Sequence, residues 1–179
     1  MKHKFSAKRL AEVLFESAKS TDSLDAVRDS IVEFDRIIRM NNDLKSFVQS
    51  KKFSQPQKQT ILIDSFGSLF NGLVLGIVSY VDGMLAHKII NQIKKLFVEQ
   101  YKHTKNIVSV HATFSAQIED GDLNAMNKKL GDLLNKETEL TIEIDESLIG
   151  GAQFRIENTF LDASIKSQLK NIKSDLMKI

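Results

Sequence analysis

The hydrophobic pattern of this chain changes its period once, and that change constrains the fold more than any other feature. Up to about Lys105 apolar residues recur three and four positions apart, as in helices that bury one face. From Ile107 they recur at every second position, as in half-buried strands. Charge shifts at the same place. Residues 1–105 carry 17 Lys and Arg against 11 Asp and Glu, a net of +6, whereas residues 106–179 carry 8 against 12, a net of −4. Two independent properties thus divide the chain into an N-terminal helical domain, 1–105, and a C-terminal domain, 106–179. The expected fold class is α+β: an N-terminal six-helix bundle followed by a small C-terminal α/β domain with a short mixed sheet.

The helices are expected near 6–19, 24–40, 43–50, 55–66, 69–81 and 85–105. The fourth opens on Ser54-Gln55-Pro56-Gln57, a capping-box pattern that places the only proline of the chain in the first turn, where its missing N–H costs least. Beyond the boundary, Val108, Val110, Ala112 and Phe114 alternate with Ser109, His111 and Thr113. A helix near 122–135 follows, then strands through Leu140–Ile144, Ala152–Ile156 and 159–162. The last helix, 164–178, has a narrow stripe of Ile165, Leu169, Ile172 and Leu176 that suits one face of the sheet.

Composition removes several kinds of chemistry. Apolar residues make up 42% and charged residues 27%, the balance of a globular chain. The absence of cysteine excludes disulfides, thiolate metal sites and cysteine nucleophiles. The N-terminus is basic but interrupted by Glu12 and Glu16, so no signal peptide is expected. The most apolar run, 69–81, falls short of the ~20 residues that span a bilayer, so no membrane span is expected. Gly67 and Gly72 have the spacing of a phosphate loop, yet Leu73 and Val74 occupy the positions of its Lys and Ser/Thr. His3, His87, His103 and His111 never fall at the i, i+4 spacing of paired helical metal ligands. No catalytic residue, metal or cofactor is expected. The basic residues of the first half, among them Lys2, Lys8, Arg9, Lys51 and Lys52, are scattered rather than clustered, so no nucleic acid is expected. An RNA-binding or ribosome-associated factor is the rival reading; the acidic second half and the lack of an aromatic strand oppose it.

Two helices have more apolar surface than a small core needs. On the first, Ala7, Leu10, Ala11, Val13, Leu14, Phe15 and Ala18 cover an arc of roughly 200°, about twice the stripe of an ordinary surface helix. The fifth is apolar on nearly all sides, with only Asn71 and Ser79 polar. Gly72 and Gly76 lower its helix propensity by about 1 kcal/mol each. Close approach of a neighbouring helix, internal or foreign, would compensate. The two helices are expected to form a groove for an amphipathic helix. Lys166, Lys170 and Lys173 line one flank of the last helix, either solvated or set to meet an acidic helix.

The segment ESLIGGAQFRIENTFLDASIKSQL resembles the C-terminal signature of the delta subunit family of F-type ATP synthases, whose mitochondrial member is the oligomycin sensitivity conferral protein. Asp145, Leu148, Gly150, Gly151, Phe154, Arg155, Asp162 and Ser164 match it. The run from Arg9 to Ala18 looks like the family's opening helix, and Asp82-Gly83-Met84-Leu85 falls on a further family motif. Glu157 and Ala163 stand where glycine is usual, Leu10 where tyrosine is usual and Met84 where arginine is usual; Asn158 is still able to take a left-handed turn. The resemblance implies a non-catalytic stator subunit of the peripheral stalk that resists rotor torque during ATP synthesis. It implies that Leu10, Val13, Leu14, Ser17, Val74, Val78 and Val81 form a groove for the N-terminal helices of alpha subunits. Lys166, Lys170 and Lys173 would face the C-terminus of the b subunits. Gly150, Gly151, Arg155, Asp162 and Ser164 would be structural. The subunit would associate with the membrane only through the complex, on the cytoplasmic face of a bacterial inner membrane. Aspartate at Leu14 or Val78 is expected to release the catalytic head.

Overall fold

A computed structural model describes residues 6–177, the side chains of Asp120, Asp175 and Leu176 excepted; Lys2, His3 and Lys178 lie outside the described residues. The chain forms two compact units, the first ending at Tyr101 and the second beginning at Lys102. Eight helices and a four-stranded mixed sheet make up its α+β architecture.

Six helices precede the first strand: α1 (Ala7–Ser20), α2 (Leu24–Met40), α3 (Asn42–Gln49), α4 (Gln55–Phe66), α5 (Gly72–Ser79) and α6 (Ala86–Thr104). On α1, α3 and α4 side chains satisfy the first N–H groups. Ser6 accepts from the Arg9 amide, Asn41 from those of Asp43 and Leu44, and Ser54 with Gln57 completes a capping box on α4. The core of the first unit is drawn from all six helices, with Leu14, Phe34, Ile38, Val48, Leu62, Leu75, Ile90 and Phe97 each almost wholly buried. Each such side chain contributes on the order of 1.5–3 kcal/mol when removed from water. Phe97 of α6 meets Phe15 of α1 edge-on at 5.8 Å, and Phe34 of α2 meets Phe70 edge-on at 5.5 Å.

The fifth helix is shorter than its apolar run. Gly67 closes α4 by donating to the Ile63 carbonyl, and the Leu69 and Phe70 amides both turn back to Phe66. Asn71 then ends the turn. Its amide donates to Ser30 Oγ, while its side chain accepts from the Leu73 amide and so caps α5. A residue expected inside the helix is therefore its N-cap, which leaves Leu69 and Phe70 outside it. Gly67 and Gly72 thus serve a helix end and a helix start, not a phosphate cradle.

A buried carboxylate fastens α2 to α6. Asp35, 3% exposed, accepts from Arg39 on its own helix at 2.7 Å and from Lys94 and Asn91 on α6 at 2.6 Å and 3.2 Å. Nearer the end of α6, the Tyr101 hydroxyl donates to Asp25 of α2, and the Arg28 guanidinium lies over the Tyr101 ring. The Asp25 hydrogen bond pushes the Tyr101 pKa up to about 12, so its hydroxyl remains a donor throughout the physiological range.

In the second unit come β1 (Ile107–Phe114), α7 (Asp120–Leu134), β2 (Glu137–Ile144), β3 (Gly151–Ile156), β4 (Thr159–Ser164) and α8 (Ile165–Leu176). Asn106 and Asn135, in left-handed conformations, follow α6 and α7 and let the chain turn into strands. The sheet order is β2-β1-β3-β4; β1 runs parallel to β2 and antiparallel to β3, and β3 runs antiparallel to β4. Alternation on β1 buries Val108, Val110 and Ala112 on one side of the sheet. The α7 helix meets β2, where the Thr138 hydroxyl bonds to Asn127. The α8 stripe departs from its expected place: Ile165, Leu169 and Ile172 are 42%, 57% and 56% exposed. The helix packs chiefly along β4, an edge strand, which leaves much of the stripe uncovered.

Replacing Asp35 by Asn should leave Lys94 without its buried counter-charge and lower the stability of the first unit by about 3 kcal/mol, near the low end for a broken buried ion pair because Arg39 is solvent-exposed. Urea denaturation of the full chain, monitored on helix signal, measures it.

Candidate functional site

The outward side of α5 is a shallow strip. A side chain added at Gly72 would meet nothing within 4 Å, and one at Gly76 would meet only the end of Gln59 at 3.9 Å. The glycines therefore face open space and do not accommodate an internal neighbour. Leu73 and Ile77 beside them are half-buried, Tyr80 is exposed, and Leu69, just before the helix, is 70% exposed. The opposite side of α5, formed by Val74, Leu75, Val78 and Ser79, is buried against α1, α2 and α4.

This placement sorts the groove residues expected from sequence. Leu10, Leu14, Val74, Val78 and Val81 all lie in the core, with Leu14 and Val78 1% exposed. Val13 is 49% exposed on the outer side of α1, and Ser17 is half-buried. A carboxylate at Leu14 or Val78 would be forced into an apolar interior, a cost of folding before any effect on binding. Leu73, Ile77 and the two glycines were within the fifth helix's apolar run, but its all-round hydrophobicity did not show which side would remain open.

In the second unit the signature residues converge on the junction of β3, β4 and α8. Gly151 has φ +82, and a Cβ there would come within 2.5 Å of the Ala163 carbonyl oxygen on the paired strand, so glycine is required twice over. At Gly150, φ +158, a Cβ would meet the tip of the Ile165 side chain at 2.7 Å, and the Gly150 carbonyl accepts from the Ile165 amide. Asp162 accepts from the Ser164 amide, and buried Ser164 accepts from Ser167, which caps α8. Hydrogen bonds from Ser164 hold the Asp162 carboxyl below the usual carboxylate range, and those from Ser147 do the same for Asp145. The left-handed turn residue between β3 and β4 is Glu157, with φ +51, and not Asn158, the residue type better suited to it. The strands end as the pair Ile156–Thr159, so the two-residue turn places its first residue at positive φ.

Arg155 is not part of that junction. It lies on the open side of the sheet, opposite His111 on β1 and Phe160 on β4 in register. A shallow cavity of about 510 Å³ covers this side, lined by Ser109, His111, Thr113, Glu143, Gln153, Arg155, Glu157 and Phe160. It combines one aromatic with carboxylates that would repel phosphate, a poor platform for RNA. Among the described residues no three His, Asp or Glu side chains gather as metal ligands, and no helix is long and apolar enough to cross a membrane. Lys166, Lys170 and Lys173 are all exposed on α8, alongside the uncovered stripe.

Each unit thus leaves apolar side chains exposed, Leu69 and Tyr80 around α5 and Ile165, Leu169 and Ile172 on α8. The family model "ATP synthase delta (OSCP) subunit" matches residues 7–176. The chain is 23% identical to ATP synthase subunit delta of Syntrophomonas wolfei, covering 98% of this chain and 97% of that one, and 30% identical to that of Syntrophus aciditrophicus, covering 94% and 93%. Its fold resembles a chain of the cryo-EM structure of the Toxoplasma gondii mitochondrial ATP synthase hexamer, with a TM-score of 0.60 and 17% identity over 97% of this chain and 98% of that one. The chain belongs to the ATP synthase delta (OSCP) subunit family. It is a non-catalytic, peripheral-stalk subunit of that complex.

Glu157→Gly should relieve the positive φ and stabilise the second unit by about 1 kcal/mol. Slower amide exchange in β3 and β4 of the full chain is the measurement, and exchange unchanged or faster would show that the turn is unstrained.

Proposed function

We propose that this chain is a clamp whose first unit grips the catalytic head and whose second unit grips the stalk. Its six N-terminal helices act as one bundle, with the functional boundary near 105/106. The face shared by α1 and α5 receives the amphipathic N-terminal helices of alpha subunits. The observation that carries this reading is the glycine strip on α5: Gly72 is exposed and Gly76 half-exposed beside Leu73 and Ile77, with only the end of the Gln59 side chain near, so a foreign backbone can approach closely there. Within the expected groove set, Val13 and Ser17 are the residues available for contact, and the buried members shape the surface from beneath.

The second unit offers α8. Val108, Val110 and Ala112 are its fully buried apolar side chains among the described residues, a small core for a unit of this size. Ile165, Leu169 and Ile172 beside Lys166, Lys170 and Lys173 suit an apolar helix end with acidic flanks. We assign this surface to the C-terminus of the b subunits. Held at both ends on the cytoplasmic face of a bacterial inner membrane, the chain resists rotor torque by binding alone. No reaction at this subunit is required, because torque is transmitted as strain through non-covalent contacts.

Val13→Asp should weaken binding of an alpha-subunit N-terminal peptide about tenfold, roughly 1.4 kcal/mol, with the melting temperature unchanged because the site is already half-exposed. Calorimetric titration checks it, and equal affinity for the two proteins would overturn the assignment of this face. Leu169→Asp should likewise leave folding intact while reducing co-purification with the soluble part of the b subunits. Undiminished co-purification would place the b contact elsewhere.

A further inference from the structure

The first unit contains a buried cation that neither the core nor the docking face explains. Lys58 projects from the first turn of α4 and is 2% exposed. Its ammonium donates to the Val48 carbonyl at 2.7 Å and to the Val81 carbonyl at 3.3 Å. Val48 is in the last turn of α3, and Val81 follows the end of α5. Carbonyls at such positions lack intrahelical partners and carry the negative end of the helix dipole, so one ammonium satisfies two helix termini at once. Other bonds reinforce the junction: the Gly83 amide donates to the Gln49 carbonyl, and the Gln49 side chain donates to the Met84 carbonyl and meets His87.

The same side of α4 lies along α5. Gln55 reaches the Ser79 hydroxyl at 3.4 Å, and Gln59 lies beside Gly76. Residues 55, 58, 59 and 62 share one helical face, with Leu62 fully buried. An eight-residue helix with two glycines has little intrinsic stability, so contacts of this kind set where it lies.

We propose that Lys58 is a positioning residue for partner binding: by joining α4 to the ends of α3 and α5, it fixes the height and tilt of the glycine strip that receives the partner helix. This rests on the reading of α1 and α5 as the docking face. The bond is costly to maintain. Burial pushes the Lys58 pKa below the usual lysine value, opposed only by the charge of Asp82. Lys51, whose side chain lies against Gly83, and His87, bonded to Gln49, are the other ionisable groups at the junction, and neither neutralises the ammonium. A folded pKa below the unfolded 10.5 means that protonation opposes folding at neutral pH, a penalty relieved only as pH rises toward 10.5. Desolvation of the ammonium offsets much of what its two carbonyl bonds add to stability, so their larger consequence is where they hold the ends of α3 and α5.

The test uses the full-length protein, its Lys58→Met and Lys58→Gln variants, and a synthetic peptide of the alpha-subunit N-terminal segment. Lys58→Met should bind the peptide at least about tenfold more weakly. Its melting temperature should change little, because the desolvation relieved offsets the two carbonyls left unpaired, and amide exchange should accelerate across residues 72–85 but not in α2. Lys58→Gln, which keeps one donor, should recover part of the affinity. If wild type and Lys58→Met bind equally, or if Lys58→Met merely melts earlier while Lys58→Gln binds like wild type, the positioning role is overturned. If the wild type does not bind the peptide at all, the docking face itself is wrong, and the exchange of residues 72–85 then decides alone whether Lys58 positions α5: acceleration upholds it and no change refutes it.

Discussion

The first unit depends on holding α5 in place. Alone, eight residues with two glycines would not remain helical in water, because a nucleus of that length recovers too few hydrogen bonds for the torsions it fixes. Tertiary contact does the work instead. Val74, Leu75 and Val78 are sealed against α1, α2 and α4, Asn71 caps the start, and Lys58 ties down the chain beyond the end. Because those restraints all act on one side, the other side is free of structural duty. It can present glycine where a self-sufficient helix would need alanine or leucine. A weak helix is therefore what makes the shallow strip possible.

The second unit solves a related problem at the β3–β4–α8 junction. Gly151 lets two strands approach where any Cβ would strike the Ala163 carbonyl, and two residues spaced as Asp162-x-Ser164 turn the end of β4 directly into α8. The helix is thus fixed at its root while most of its apolar stripe stays uncovered. A rigid root with an open stripe suits a surface that must bear force, since a helix free to swing would dissipate strain instead of passing it on. Both units show the same division of labour: polar caps and glycines determine direction, and apolar side chains left outside are available for the complex.

Much of this was legible in the sequence because it depends on local rules. The change of period located the helices and strands, and the capping box at Ser54 and Gln57 formed as its pattern required. What was not legible depends on distant partners. Nothing local marks Asp35 or Lys58 as buried, and their partners are distant in sequence: Asn91 and Lys94, 56 and 59 residues away, and carbonyls 10 and 23 residues away. The start of α5 was misplaced because Asn71 competes for the backbone as a cap, which hydropathy does not register. Similarly, the positive φ fell on Glu157 and not on Asn158, since strand register selected the turn position over residue preference.

The groove residues illustrate the deeper limit. An apolar arc of about 200° is wider than one neighbour needs, but a sequence does not say which part faces which. Leu10, Leu14, Val74 and Val78 went to the core because they are centred where α1 and α5 meet the other helices, and Val13, Leu73 and Ile77 were left at or near the surface. The distinction matters for how mutations are understood. A charge at a core position removes the unit, and with it every contact the unit makes, so loss of coupling there says nothing about the interface. Only substitutions at residues already in contact with water separate gripping from folding, and in a protein with no chemistry of its own that separation is the whole of its functional analysis.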